Sequence, residues 1–291
     1  MSLEIRAAVD ADLADIARLS LARSQEAATR CLHADTSPTL DAVTAEILEL
    51  IDAQELVYVV AREPRLVGLL GCELVADQGR GWLRGPFAPP GDGFLSMATG
   101  LYATLREILP PQIRRLDTFL HEANRAGDAF YRSRGFHLRS RAHIYATDAR
   151  DPVTDADGCQ LLTEAHFEPV VALHDALFPA TYASGREIVD RLAAERQVLV
   201  ALRHGALAGY TRVLHGSEDE GYVEYVGVRP EARRRGVGRQ LLQAGLAYLM
   251  GERRCARVTL TVNDDNVNAR HLYESVGFRL VHTGVNLRLE G

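Results

Sequence analysis

The sequence predicts an α/β protein, built on α+β mixed sheets and arranged as two tandem copies of one fold. Three observations lead there. The chain has 291 residues, about twice a typical domain, which favours two units that each bury a core. VAREPRLVG (60–68) and NRAGDAFYRSRGF (124–136) are echoed by VALRHGALAG (200–209) and NVNARHLYESVGF (266–278), at an offset of about 140 residues both times, the mark of an internal duplication. Each half joins strand hairpins to strand–helix–strand crossovers, which gives a mixed sheet with helices on both faces.

In the first half, strands are expected over residues 3–7, 55–62, 66–76, 114–120 and 136–146. The segment ATDARDPVTDADG (146–158) is rich in Asp, Pro and Gly and lacks apolar periodicity, so it reads as a linker. The expected organisation is therefore a first domain over 1–147, a linker over 148–158 and a second domain over 159–291. The second half opens with a short strand near 160–162 and helical patterning over 164–177 and 185–194. QVLVALR (197–203) and ALAGYTRVL (206–214) form a hairpin around His204 and Gly205, and GYVEYVGV (221–228) follows as a third strand. A helix over 237–250, a strand over 257–262, a short helix over 267–276 and a last strand from Phe278 complete it.

Composition narrows the function. Hydrophobic residues make up 47% and charged residues 25%, the balance of a globular protein. A net charge of -6 argues against nucleic acid as a partner, because the one dense basic patch is short and free of aromatics. Cys31, Cys72, Cys159 and Cys255 are scattered with no zinc-like spacing, so no metal site and no disulfide framework is expected. The N-terminal residues lack a signal-peptide layout, and no run reaches the ~18 apolar residues of a membrane span, so a cytoplasmic protein without membrane contact is expected.

The basic patch is the most informative stretch. Val226 and Val228 close a strand that Pro230 must end, since proline lacks the donor to continue the ladder. Arg233, Arg234, Arg235, Gly236, Val237, Gly238 and Arg239 then form RxxGxG with flanking arginines ahead of a helix whose leucines recur at helical spacing. Glycines admit a ligand close to the backbone, the helix start offers unpaired N–H groups, and guanidinium forks match phosphate oxygens. The spacing is neither a dinucleotide-binding GxGxxG nor a Walker loop. About thirty residues on, Asn266, Ala269, Leu272, Tyr273, Gly277 and Phe278 spell NxxAxxLYxxxGF.

In VxPxxRxxGxG (228–238) followed by this second motif, the second half resembles the GNAT family, the GCN5-related N-acetyltransferases. The resemblance implies two tandem acyl-CoA N-acyltransferase (GNAT) folds, an arrangement similar to the mycothiol synthase-like branch, with acetyl-CoA as co-substrate and no metal. It implies that backbone groups of Val226, Gly227 and Val228 bind the pantetheine arm, that residues 233–239 surround the pyrophosphate, and that Asn266 and Tyr273 contact the cofactor. The first half departs from the pattern, with FAPPGDGFLSM (87–97) in place of the arginine loop, so it is expected to be a degenerate copy.

Acetyl transfer to an amine needs a proton acceptor and a proton for the departing thiolate. Tyr273 is the candidate acid, as the resemblance implies; its bland reading is a packed aromatic on an apolar helix stripe. Glu224, on the same strand face as Tyr222 and Val226, is the candidate base; its bland reading is an ion pair with an arginine across the sheet. The expected activity is N-acetyl transfer to a primary amine, in a small molecule or at a peptide N-terminus, by direct attack in a ternary complex, by a monomer or homodimer. The alternative is a noncatalytic acetyl-CoA sensor or docking module.

Overall fold

The structure, a computed structural model, describes residues 3–34, 39–148, 158–179, 181, 183–216 and 219–291; residues 149–157 of the expected linker lie outside them. The chain runs β1 (Glu4–Ala7), α1 (Leu13–Ser24), α2 (Leu40–Asp52), β2 (Leu56–Glu63), β3 (Arg65–Val75), β4 (Arg80–Phe87), α3 (Phe94–Ile108), β5 (Arg115–His121), α4 (Arg125–Ser133) and β6 (His137–Thr147). It continues through β7 (Cys159–Leu161), α5 (Phe167–Leu177), α6 (Gly185–Asp190), β8 (Arg196–Arg203), β9 (Ala206–His215), β10 (Glu220–Val228), α7 (Val237–Leu246), β11 (Arg257–Asn263), α8 (Val267–Glu274) and β12 (Arg279–Leu289). Two units result: Met1–Ala142 with His282–Gly291, and His143–Val281.

In the first unit the strands lie in the order β1-β2-β3-β4-β5, with the C-terminal part of β12 beside β5. β12 pairs antiparallel with β5 from Gly284 opposite His121 to Leu289 opposite Leu116. Val285 and Leu287 thereby enter the core formed by Ile16, Val60, Leu70, Leu101, Leu116 and Phe130. Local signals start and stop the elements: Thr39 caps α2 by accepting from the Ala42 N–H at 3.3 Å, which satisfies one orphan donor of the first turn.

In the second unit the order is β7-β8-β9-β10-β11, with the end of β6, from His143 onward, beside β11. The strand that completes each unit thus comes from the other half of the sequence. His204 and Gly205 sit at φ 51 and 78, the left-handed pair that a two-residue hairpin between β8 and β9 requires. Ser184 and Glu187 form a capping box that opens α6. Both faces of this sheet are covered. Val198 and Val200 pack with Val170 of α5 and Ile188 of α6, whereas Leu199 and Val213 belong with Leu242 of α7 and Leu260 of β11. That is why β8 reads as a continuous apolar run instead of alternating.

Candidate functional site

The second unit holds a cleft made by two strands that part. β10 and β11 pair in parallel only from Glu220 opposite Arg257 to Val223 opposite Leu260, although β10 runs on to Val228 and β11 to Asn263. On its other edge β10 stays paired with β9 as far as Val228 opposite Gly209, through a bulge between Val223 and Tyr225. The bulge bends β10 away from β11 and leaves the backbone of Tyr225 to Val228 with no strand partner on that edge. Gly227 is required there, since a Cβ would come within 2.6 Å of the Tyr210 ring.

Beyond the strand, Pro230 opens a single 3-10 turn and the Arg233 Nε donates to the Val228 carbonyl at 3.2 Å. Arg234 and Gly236 both adopt left-handed backbone, at φ 58 and 80. Such left-handed residues curl successive N–H groups towards one point, a concavity suited to an anion. Gly236 precedes α7 without any side-chain cap, so the first N–H groups of that helix keep their donors for a ligand. Arg233, Arg234, Arg235 and Arg239 are exposed around this mouth, while Val237 is buried beneath it. Gly238 lets α7 approach α8, for a Cβ would lie 3.0 Å from Leu272.

Tyr273 lies on α8 in the same unit, its ring near those of Tyr145 and Phe278. Burial, with Tyr222 adding to it, pushes its phenol up to about 12, and its hydroxyl makes no hydrogen bond among the described residues. Asn266 caps α8, its Oδ1 accepting from the Ala269 N–H at 3.3 Å. Glu224 is the bulge residue, and its Oε2 lies 2.7 Å from Arg212 Nη1, with both side chains nearly buried. The cross-sheet partner that an ordinary structural role would give this carboxylate is therefore present.

A cluster that the sequence did not bring together lies within electrostatic reach of Glu224. His174 is fully buried, with Nε2 2.9 Å from the Ala183 carbonyl and Nδ1 2.6 Å from the Tyr210 hydroxyl. A carbonyl only accepts, so Nε2 carries the proton and Tyr210 donates to Nδ1; burial lowers the imidazole further towards its neutral form. Tyr225 shares a 2.8 Å hydrogen bond with Thr181. A cavity of about 400 Å³ opens beside them, lined by Asp175, Phe178, Thr181, Ser184 and Glu187 among others. No short stretch of sequence encodes this cluster; its pairing depends on register.

The first unit has the same parting strands with a different filling. β4 and β5 pair only from Arg80 opposite Arg115 to Leu83 opposite Thr118. Here Tyr131, the counterpart of Tyr273, is fully buried and donates to the Gly85 carbonyl at 2.9 Å, and Phe87 is fully buried in the same core. Arg84 takes the place of Glu224, with Nη2 2.8 Å from Glu73 and 2.9 Å from Glu46. Among the described residues no group of His, Cys, Asp and Glu could hold a metal ion, and no helix is long and apolar enough to cross a membrane.

Residues 161–278 match the family described as acetyltransferase (GNAT). The mycothiol acetyltransferase of Acidothermus cellulolyticus is 45% identical over 76 residues, 26% of this chain and 22% of that protein. That of Kocuria rhizophila is 44% identical over 82 residues, 27% of each. The chain thus spans about a quarter of the length of these curated relatives. A GCN5-related N-acetyltransferase from Sphaerobacter thermophilus superposes with a TM-score of 0.74 at 19% identity, covering 99% of this chain and 95% of that one. A tandem GNAT protein from the clavulanic acid biosynthesis pathway gives 0.67 at 20% identity, covering 99% and 98%. At these identities the solved structures show the fold, which is a tandem GNAT arrangement.

Proposed function

Because the chain belongs to the GNAT superfamily in its tandem arrangement, we propose that its second unit is an acetyl-CoA-dependent N-acetyltransferase acting on a primary amine by direct transfer in a ternary complex. The observation that supports this most is the conjunction of an uncapped α7 start, the left-handed Arg234 and Gly236, and the unpartnered edge of β10. A diphosphate fits the concavity, with Arg233, Arg234, Arg235 and Arg239 around it and backbone donors from Gly236, Val237 and Gly238. The pantetheine arm takes the place of a strand beside Val226, Gly227 and Val228, and Asn266 borders it from the start of α8.

The acceptor nitrogen attacks the thioester carbonyl carbon, forming the C–N bond, and the C–S bond then breaks. Glu224 takes the proton lost by the amine, directly or through water. Tyr273 gives its proton to the departing thiolate; the raised phenol keeps that proton available at neutral pH. The acceptor is a small molecule or a peptide N-terminus, and the similarity to proteins named mycothiol acetyltransferases favours the small molecule. The reaction runs in the cytoplasm, in a monomer or homodimer. The first unit, with Tyr131 bonded across its strand gap, serves as scaffold.

A second reading, a noncatalytic acetyl-CoA sensor, draws on the closed Glu224–Arg212 pair. Release of free coenzyme from acetyl-CoA over a panel of amines, with Tyr273→Phe as control, separates the two. Turnover that falls in the variant supports the enzyme; acetyl-CoA binding with no turnover on any amine supports the sensor.

A further inference from the structure

The bare edge of β10 rests on a side chain that is itself held in place. Gly227 stands opposite Tyr210 of β9, and the Tyr210 ring lies so close to it that an added Cβ would meet Cε1 at 2.6 Å. Tyr210 is fully buried. Its hydroxyl donates to His174 Nδ1 at 2.6 Å, and His174 Nε2 donates to the Ala183 carbonyl at 2.9 Å. A chain of contacts thus runs from the Ala183 backbone, ahead of α6, through two buried side chains to Gly227. Hydrogen bonds are directional, so this one fixes the tilt of the ring as well as its place. The neutral imidazole alone can serve, since a protonated ring has no acceptor.

The first unit builds the same strand pair without this tie. With Gly68 set against Gly209, as the repeat requires, Leu69 takes the place of Tyr210, and it stands opposite Phe87 where Tyr210 has a glycine. Leucine has no hydroxyl to hold. The fold itself therefore does not demand the tie, which occurs in the unit that keeps the arginine loop. We propose that His174 and Tyr210 are positioning residues for the acetyl transfer set out above, on which this rests: together they hold the Gly227 backbone where it receives the pantetheine arm. Neither takes part in proton transfer. His174 acts through Tyr210, and Tyr210 acts through Gly227.

The test is calorimetry on the full chain with coenzyme A and with adenosine 3′-phosphate 5′-diphosphate, which carries the same nucleotide and diphosphate but no pantetheine arm. The variants are Tyr210→Phe, which keeps the ring and removes the hydroxyl, His174→Leu, which removes the acceptor, and His174→Asn, whose amide oxygen replaces it. In Tyr210→Phe and His174→Leu the Kd for coenzyme A is expected to rise about fivefold or more, the scale of one lost hydrogen bond, while the nucleotide without the arm binds as it does to the wild type. His174→Asn should recover most of the loss. Packing alone would rank the two His174 variants the other way, because an apolar side chain is cheaper to bury than an amide. Tyr210→Phe keeps the core filled, so it gives the answer where a His174 variant fails to fold. The inference is overturned when Tyr210→Phe leaves coenzyme A affinity unchanged, when both ligands weaken equally, or when His174→Leu binds coenzyme A more tightly than His174→Asn. Wild-type protein that binds neither ligand defeats the proposed function and the positioning role with it; binding by the wild type with no change in the variants defeats the positioning role alone.

Discussion

Glu224 and Arg212 close on each other at 2.7 Å across the bulge where β10 leaves β11. In the first unit the matching position is Arg84, held by Glu73 and Glu46. The duplicated strand has kept an ion pair at this position and reversed its polarity, so only in the second unit does the parting strand itself carry the carboxylate there.

Glu224→Gln is expected to lower kcat by about 100-fold or more, the range of a lost general base, with acetyl-CoA affinity nearly unchanged. Steady-state kinetics beside calorimetry check this. Arg212→Met should instead cost about 3 to 5 kcal/mol of stability, because it removes the cation paired with a nearly buried carboxylate. Full turnover in Glu224→Gln would remove the base assignment.

Tyr273→Phe is expected to reduce kcat by about 100-fold at neutral pH, the low end for acid–base catalysis. The folded phenol, at about 12, lies above the ordinary value near 10, so the native state holds its proton more tightly than the unfolded chain. Its contribution to stability is complete below about pH 10 and is lost as pH rises towards 12. Denaturant unfolding between pH 8 and 12 should show a shallower alkaline decline in the Phe variant.

At Gly236 a side chain would meet open space but would have to adopt φ 80. Gly236→Ala is therefore expected to cost about 1 kcal/mol through backbone strain alone. Acetyl-CoA affinity should fall at least about fivefold as the concavity relaxes, by the usual relation of free energy to affinity. Unchanged affinity in calorimetry would mean that the left-handed turn is not part of the cradle.

Acid should weaken the first unit. The hydrogen bond from Arg6 holds the Asp12 carboxyl down at about 2; at Glu73 burial opposes ionisation, but His33 and Arg84 outweigh it and hold that carboxyl at about 2 as well. Both groups bind fewer protons folded than unfolded, so their stabilisation is complete above about pH 5 and disappears as pH falls towards 2. Thermal melts from pH 7 to 3 should show this decline, and Asp12→Asn should flatten it.

Leu287→Ala lies near the end of the sequence, yet it should destabilise the first unit by about 2 to 5 kcal/mol, as truncation of a fully buried leucine does. Hydrogen exchange should speed up first in β5, the strand it pairs with. Faster exchange confined to β11 would contradict the pairing.

Much of this was legible from spacing alone. β10, the arginine loop, α7 and α8 follow from a proline stop, two glycines and a leucine repeat, each a local signal. The His204–Gly205 hairpin was equally local. The cluster of His174, Tyr210, Arg212 and Glu224 was not, because it joins three elements through strand register and a bulge that no short window encodes. The completing strands were silent for a different reason: β6 follows Gly135–Phe136 and β12 follows Gly277–Phe278, so the same motif precedes both and neither flank names its neighbour.

That arrangement bears on how the polypeptide matures. As the ribosome delivers it from the N-terminus, the earlier-made unit must wait with one flank of β5 bare until residues 282–291 emerge. Assembly of the first-born half is thereby tied to the synthesis of β12, and a nascent chain halted before Gly284 would expose an open sheet edge to chaperones or to aggregation.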